Sequence, residues 1–307
     1  MYHSSRRAVI CQSYVKSAVS IDDGDFQPKN TSVALFGMGC FWAPSEALAS
    51  IPGIVDVTVG YAGGASSFAR VFNLSDAGEK RPNYDSVCAG DGSVETVRVS
   101  YDPSTCSYSD LLDHFFDNHD SNIAFKAKKS AVERAKSFNE ALEERYEDAT
   151  NIPTRISPLN QYASVIWTFS NDEEEAAKAA IFAQKRRCEA NRATGPATVV
   201  VRVPNVPGNL GKTLDLFFFK AENYHQKFWP KARVRFGAFM ALTVVQYVST
   251  QLGRIDLAGG VQAAQLALLA FILIERSAPR IARATEATGV TSIVGSAFQR
   301  EEENLFG

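Results

Sequence analysis

The stretch Val33-Ala34-Leu35-Phe36-Gly37-Met38-Gly39-Cys40-Phe41-Trp42-Ala43-Pro44 reads as a strand, a tight turn and the opening of a helix. Residues 33–36 are apolar and strand-like, and residues 45–51 are helix-like. The two glycines permit the turn, because glycine accepts backbone angles closed to other residues. Pro44 falls in the first helical turn, where its missing N–H costs nothing. Cys40 is therefore expected at a helix N-terminus, facing free N–H groups and the positive end of the helix dipole. That setting favours thiolate over thiol. Phe41 and Trp42 would form an apolar wall beside the sulfur. A free cysteine is more often a small buried hydrophobe than a nucleophile, so this run does not settle catalysis alone. It lacks the third glycine of a dinucleotide fingerprint and the Gly-Lys-Ser/Thr of a phosphate loop.

Outward from this run, strands and helices alternate. Residues 54–61 place Val55, Val57, Val59 and Tyr61 on one strand face. Residues 60–64 break that strand, and 65–81 read as a polar loop without period. Residues 94–101 alternate again and end at the turn signal Asp102-Pro103. Leu111, Leu112, Phe115 and Phe116 make the apolar face of a helix over 109–118. Residues 126–148 form a charged helical stretch with a weak apolar stripe, a surface excursion. Ala163, Val165, Trp167 and Phe169 share a strand face. Ser170 and Glu173 make a capping box for a helix to about Asn191. Residues 197–203 and 215–220 are further short strands. The fold class is α/β (α+β): a two-layer sandwich with a mixed sheet and a ferredoxin-like split β-α-β core over residues 31–230.

The chain has 307 residues, 45% of them hydrophobic and 21% charged, with a formal net charge of −2. That balance gives no electrostatic case for nucleic acid. Cys11, Cys40, Cys88, Cys106 and Cys188 lack the spacing of a disulfide scaffold or a zinc site. His114 and His119 are five apart and do not stack on one helix face. No metal and no cofactor is expected. Dispersed cysteines suit a reducing intracellular compartment, cytoplasmic or organellar. Residues 1–30 read as a flexible polar arm without a secretory signal.

Residues 231–307 read as a helical extension and polar tail. Within them, 237–253 and 258–274 are uncharged stretches, flanked by Lys231, Arg233 and Arg235 and by Arg276, Arg280 and Arg283. They fit a membrane hairpin with both ends on the positive side. Each falls short of the ~20 residues of a normal span, which favours a soluble helical hairpin packed on the core or at a dimer interface.

A nucleophilic thiol needs an acid to drive off its leaving group. Glu95 lies in register with Val97, Val99 and Tyr101, on the apolar face of its strand. Desolvation there raises a carboxyl pKa and keeps the group protonated. The competing readings are an edge position or pairing with Arg98.

These residues resemble the peptide methionine sulfoxide reductase A family. The resemblance rests on Gly39-Cys40-Phe41-Trp42, Ile51-Pro52-Gly53-Ile54 and Val59-Gly60-Tyr61-Ala62-Gly63-Gly64. It continues in Pro82-Asn83-Tyr84-Asp85-Ser86-Val87-Cys88-Ala89-Gly90 and Glu95-Thr96-Val97-Arg98-Val99-Ser100-Tyr101-Asp102-Pro103. Asn118-His119-Asp120, Gln161-Tyr162-Ala163-Ser164 and Ala221-Glu222-Asn223-Tyr224-His225-Gln226 complete it. It implies that Cys40 attacks the sulfoxide sulfur and becomes a sulfenic acid. Glu95 would protonate the oxygen, which Tyr84 and Tyr162 would hydrogen-bond, and Phe41 and Trp42 would seat the substrate methyl group. Substrates would be protein-bound or free methionine S-sulfoxide, in repair of oxidised proteins, with thioredoxin or a small thiol as reductant.

Three departures stand out. The family's Gly-His before the glutamate is replaced by the shorter Asp91-Gly92-Ser93-Val94. After an insertion between Asp120 and Pro153, Ser157 stands where the family has an aspartate. No cysteine follows Cys188, so the usual C-terminal resolving cysteine is absent. Cys88 and Cys11 are candidate resolving thiols. The simplest reading is direct reduction of the sulfenic acid by an external thiol. The competing function is a non-catalytic or membrane-tethered binding module that reuses the fold.

Overall fold

The strand expected before Cys40 is the middle of a sheet. A computed structural model describes residues 31–74, 80–145, 155–204 and 210–287. In chain order the elements are β1 (Ser32–Met38), α1 (Trp42–Ala49), β2 (Ile54–Ala62), α2 (Gly64–Val71), α3 (Tyr84–Ala89), β3 (Val94–Tyr101), α4 (Tyr108–Asp117) and α5 (Lys129–Arg145). They continue as β4 (Ser164–Thr168), α6 (Asn171–Ala190), β5 (Val199–Arg202), α7 (Leu210–Phe217), β6 (Phe218–Lys220), α8 (Phe228–Gln251) and α9 (Ile255–Ala287).

The six-stranded sheet has the order β5-β4-β1-β3-β2-β6. β1 lies antiparallel to both β3 and β4, and β2 is antiparallel to β3. β1 and β2 therefore run parallel with β3 between them, which is the split β-α-β core. β5 joins parallel to β4, and β6 antiparallel to β2, so the sheet is mixed.

β1 is buried on both faces, and that organises the core. Ala34, Phe36 and Met38 point toward Leu48 of α1, Leu111 and Phe115 of α4 and Ala177 of α6. Leu35 points the other way, toward Phe68 of α2, Phe138 and Leu142 of α5 and Phe217 of α7. The expected layer of helices on a mixed sheet is present, and α2, α5 and α7 add a second helical layer on the opposite sheet face, so the sandwich has three layers rather than two. Where an apolar residue faces each side, large side chains become fully buried, each worth ~1.5–3 kcal/mol over exposure.

Several local expectations change. Val55 is exposed, because a register shift between Ile54 and Asp56 inserts an extra residue opposite β3. Such a bulge resets side-chain parity, so Ile54, Val57, Val59 and Tyr61 share the core face instead. The stretch read as a polar loop contains α2, with residues 65–69 all buried. Two of those buried residues are serines, whose polarity masks the apolar spacing of Ala65, Phe68 and Ala69. α5 is no surface excursion: Ala131, Ala135, Phe138 and Leu142 form a buried stripe. The strand expected over 215–220 is only β6, preceded by α7. The Ser170 cap holds, its hydroxyl accepting from Glu173 N–H, while the Glu173 carboxylate accepts from Phe169 N–H at 2.7 Å.

α8 and α9 pack on each other as a helical hairpin, and α8 also touches α1. Their 24 and 33 residues exceed the two uncharged stretches read from sequence. By length and composition, residues Ile255–Ser277 could cross a membrane, with mean hydropathy 2.0. The N-terminal arm with Cys11, part of the insertion (146–154) and the tail from 288 lie outside the described residues.

Candidate active site

Gly37 and Gly39 do different jobs at the end of β1. A Cβ on Gly37 would meet Val94 Cγ1 at 2.8 Å and the Ala163 carbonyl oxygen at 2.9 Å, so only glycine lets the neighbouring strands close in. Gly39 takes φ +74°, which turns the chain sharply into α1. Cys40 follows, exposed, two residues before the helix, whose N-cap is Phe41.

Glu95 is the second residue of β3, paired opposite Tyr61 and only 2% exposed. Its carboxylate accepts from Phe41 N–H at Oε2 (3.3 Å) and from Gln161 Nε2 at Oε1 (3.4 Å). Glu95 N–H in turn donates to the Gln161 carbonyl at 2.9 Å. Burial pushes the carboxyl up to about 7, against the opposing pull of those two donors. The shortened loop keeps this register through Asp91, which accepts from Ser86 Oγ at 2.6 Å and Ser93 N–H at 2.8 Å. Arg98 pairs with Asp215, not with Glu95.

The expected thiolate bias at Cys40 is overturned. The helix N-terminus does act, since the Trp42 N–H lowers the thiol pKa. Desolvation around the sulfur raises it more, and the nearby Glu95 charge adds to the rise. Cys40 therefore holds its proton more tightly than an ordinary thiol.

Phe41 and Trp42 separate. The Phe41 ring is buried at 1% exposure, between Tyr61 (centroids 6.0 Å) and His225 (5.1 Å). Trp42 is half-buried, stacked face to face on Phe228 at 3.8 Å and 5°. Its indole Nε1–H donates to His225 Nδ1 at 3.0 Å. His225 is itself buried, and burial pushes its pKa down to about 4. The ring is therefore neutral, with its proton on Nε2, 4.0 Å from Glu222 Oε2.

Tyr84 opens α3, whose capping box is made by Asn83 and Ser86. Glu222 holds that helix end in place. Its Oε1 accepts from Tyr84 N–H at 3.0 Å, and its Oε2 accepts from the Tyr61 hydroxyl at 2.9 Å. Burial pushes the Tyr84 hydroxyl up to about 12, and the neighbouring Cys88 side chain adds to the rise. Tyr162 is anchored by its N–H to Asn160 Oδ1 (2.9 Å), with its ring against Phe125. Burial raises its hydroxyl pKa, followed by the charges of Glu95, Cys88 and Cys40. Gln161 Nε2 also reaches Cys88 Sγ at 3.7 Å.

Cys40, Glu95, Tyr84, Tyr162 and Cys88 are thus neighbours. Cys106 and Cys188 are buried elsewhere, Cys188 against Asn122 at 3.7 Å. Ser157, at the family's aspartate position, is exposed. Cys11 falls outside the described residues. Sequence reasoning assigned no role to Gln161, Glu222, His225 or Gln226. The last clamps the Val59 backbone, accepting from its N–H at 3.0 Å and donating to its carbonyl at 2.8 Å. The signal was the dense polar run Glu222-Asn223-Tyr224-His225-Gln226 between β6 and α8. Among the described residues, no group of three His, Cys, Asp or Glu could hold a metal ion. A cavity of about 790 Å³ beside Arg70, Arg81, Arg98 and Phe219 includes none of the site residues.

A family model described as peptide methionine sulfoxide reductase matches residues 32–159. The peptide methionine sulfoxide reductase MsrA of Methanococcus maripaludis strain C7 is 30% identical over 203 residues, covering 66% of this chain and 94% of that protein. The enzyme of the same name from Salinispora tropica is 43% identical over 94 residues, which are 30% of this chain and 37% of that protein. Among solved structures, methionine sulfoxide reductase A of Corynebacterium diphtheriae aligns with a TM-score of 0.45 and 20% identity, over 67% of this chain and 76% of its own.

Proposed function

The chain belongs to the peptide methionine sulfoxide reductase family, and we propose that it reduces methionine S-sulfoxide, protein-bound or free, to methionine through a sulfenic acid on Cys40. The observation that carries this reading is the buried Glu95 carboxyl, held between Phe41 N–H and the Gln161 amide beside Cys40. A carboxyl near neutral pKa in a desolvated seat is suited to give up a proton.

In the proposed reaction the Cys40 sulfur attacks the sulfoxide sulfur as Glu95 protonates the oxygen. The Cys40 proton passes to the Glu95 carboxylate so formed. The hydroxyl moves from the substrate sulfur to the Cys40 sulfur, and the thioether leaves. The substrate sulfur gains two electrons and Cys40 loses two, leaving Cys40 as a sulfenic acid. Tyr84 and Tyr162 supply hydroxyl donors to the departing oxygen. Trp42 offers the apolar seat for the methyl group, and Phe41 supports it from the core.

Recycling consumes two thiol equivalents, yielding a disulfide and water, with thioredoxin or a small thiol as donor. Because Cys40 is exposed, an external thiol can reach the sulfenic acid directly. A reducing intracellular compartment suits this chemistry, and the α8–α9 hairpin makes a membrane a second candidate partner. A non-catalytic binding module is not favoured, given the family match and the acid beside the thiol.

The test is turnover of separated S and R sulfoxides under dithiothreitol. The S epimer should be reduced and Cys40→Ser should abolish it. Substantial turnover by Cys40→Ser would sink the reading.

A further inference from the structure

The hairpin made by α8 and α9 is inside out for a protein in water. The two helices meet along a seam with spacings of three and four. On α8 it comprises Arg235, Phe239, Leu242, Gln246 and Ser249; on α9 it comprises Val261, Gln265, Leu268, Ile272 and Glu275. This is coiled-coil spacing, but the seam is not uniformly apolar. Gln265 Nε2 donates across the pair to Thr243 Oγ1 at 2.9 Å. Ser249 is buried and donates to its own helix at Val245 O. At the open end Glu275 sits between Arg235 (2.6 Å) and Lys231 (3.7 Å).

The outer surface is the apolar one. Phe236, Val244, Tyr247, Leu266, Leu273 and Ile274 are each more than half exposed, and Val245, Val248, Leu269 and Phe271 are 44–46% exposed. Residues 236–253 and 257–274 contain no charged side chain. At ~100° per residue these side chains cover the outer half of each helix rather than one stripe. A second copy docked on one face would leave the rest in water. Only a lipid surround covers all of it, and polar contacts in the seam with apolar side chains outside are what helix pairs in lipid show.

Charge placement agrees. Lys231, Arg233, Arg235 and Arg276 cluster at the open end with Glu275, while the turn carries only the ion-paired Arg254 and Asp256 (3.5 Å). Residues 257–274 extend about 27 Å, close to the ~30 Å hydrocarbon thickness; among the described helices α9 alone is long and apolar enough to cross by itself, and α8 enters as its packed partner.

We infer that α8 and α9 insert into a lipid bilayer as a hairpin anchor, with the open end and the α/β unit on the cytoplasm-like, positively charged side. The first turns of α8 also dock on the α/β unit, where Phe228 stacks on Trp42 and Arg233 pairs with Glu46 of α1. The anchor therefore sets Cys40 near the membrane surface. The insertion itself does not rest on the catalytic reading.

The full chain is reconstituted with vesicles of phosphatidylcholine and phosphatidylglycerol, washed in alkaline carbonate and floated on a density gradient. Wild type should float after the wash. Leu266→Lys with Leu273→Lys, both on the outer face, should reduce flotation at least ten-fold. Helical circular dichroism matching wild type excludes misfolding of the variant. Three results would overturn the inference: a detergent-free soluble monomer or dimer that stays at the bottom, release by carbonate, or equal flotation of the variant. Loss of sulfoxide turnover in wild type would bear on the catalytic reading alone.

Discussion

The indole N–H of Trp42 donates to Nδ1 of His225 at 3.0 Å, joining the start of α1 to the loop after β6, 183 residues away in sequence. His225 can accept only while neutral, and burial keeps it so by holding its pKa near 4. Below its ordinary value of about 6.5 the unfolded chain binds a proton that the folded chain refuses. Stability is therefore full above pH 6.5 and falls as pH drops toward 4, by about 3 kcal/mol. His225→Phe should flatten that slope between pH 7 and 5 in urea unfolding. It should also cost about 1–3 kcal/mol at pH 7 by leaving the indole N–H unpaired.

Glu95 has the opposite sign. Its folded pKa of about 7 lies above the ordinary 4.5. Between these values the folded state holds a proton that the unfolded state has lost, so stability falls as pH rises, by about 3 kcal/mol across the window. Glu95→Gln should remove that loss and be more stable than wild type at pH 8. Its kcat should fall about 100-fold or more, as expected for loss of a general acid. The wild-type kcat should decline above pH about 7, and the residual rate of Glu95→Gln should lack that limb.

Phe228 closes one face of the Trp42 ring. Phe228→Ala should release the indole, cost about 1–2 kcal/mol and raise KM for methionine sulfoxide about 3- to 10-fold with kcat nearly unchanged. A fall in kcat with KM unchanged would place the stack in the chemical step instead.

Cys88 shares Gln161 with Glu95 and lies beside Tyr84. If an external thiol reduces Cys40 directly, Cys88→Ala should turn over within about two-fold of wild type under dithiothreitol. Non-reducing peptide mapping of the oxidised protein should show no Cys40–Cys88 disulfide. Finding that bond would make Cys88 the resolving thiol.

The β1 turn, Cys40 and Glu95 were legible because a tight turn and a carboxyl in an apolar strand register are local signals. The protonation of Cys40 was not, because desolvation comes from side chains distant in sequence and outweighs the helix end. Val55 was misplaced because a bulge resets parity in a way that no hydrophobic pattern records. The short α2 hides its apolar spacing behind the buried Ser66 and Ser67, and the stripe of α5 is diluted by the charges around it. His225 and Glu222 acquire their roles only through contacts with Trp42, Tyr61 and Tyr84, more than a hundred residues away.

In the proposed reaction the Cys40 sulfur takes the sulfoxide oxygen. One equivalent of methionine S-sulfoxide, added without reductant and followed by intact-mass and peptide analysis, tests it most directly. Stoichiometric methionine and one added oxygen on Cys40 are expected, the oxygen captured by a sulfenic-acid reagent and absent from Cys40→Ser. Methionine formed by Cys40→Ser, or oxygen found on another cysteine while Cys40 stays a thiol, would contradict it.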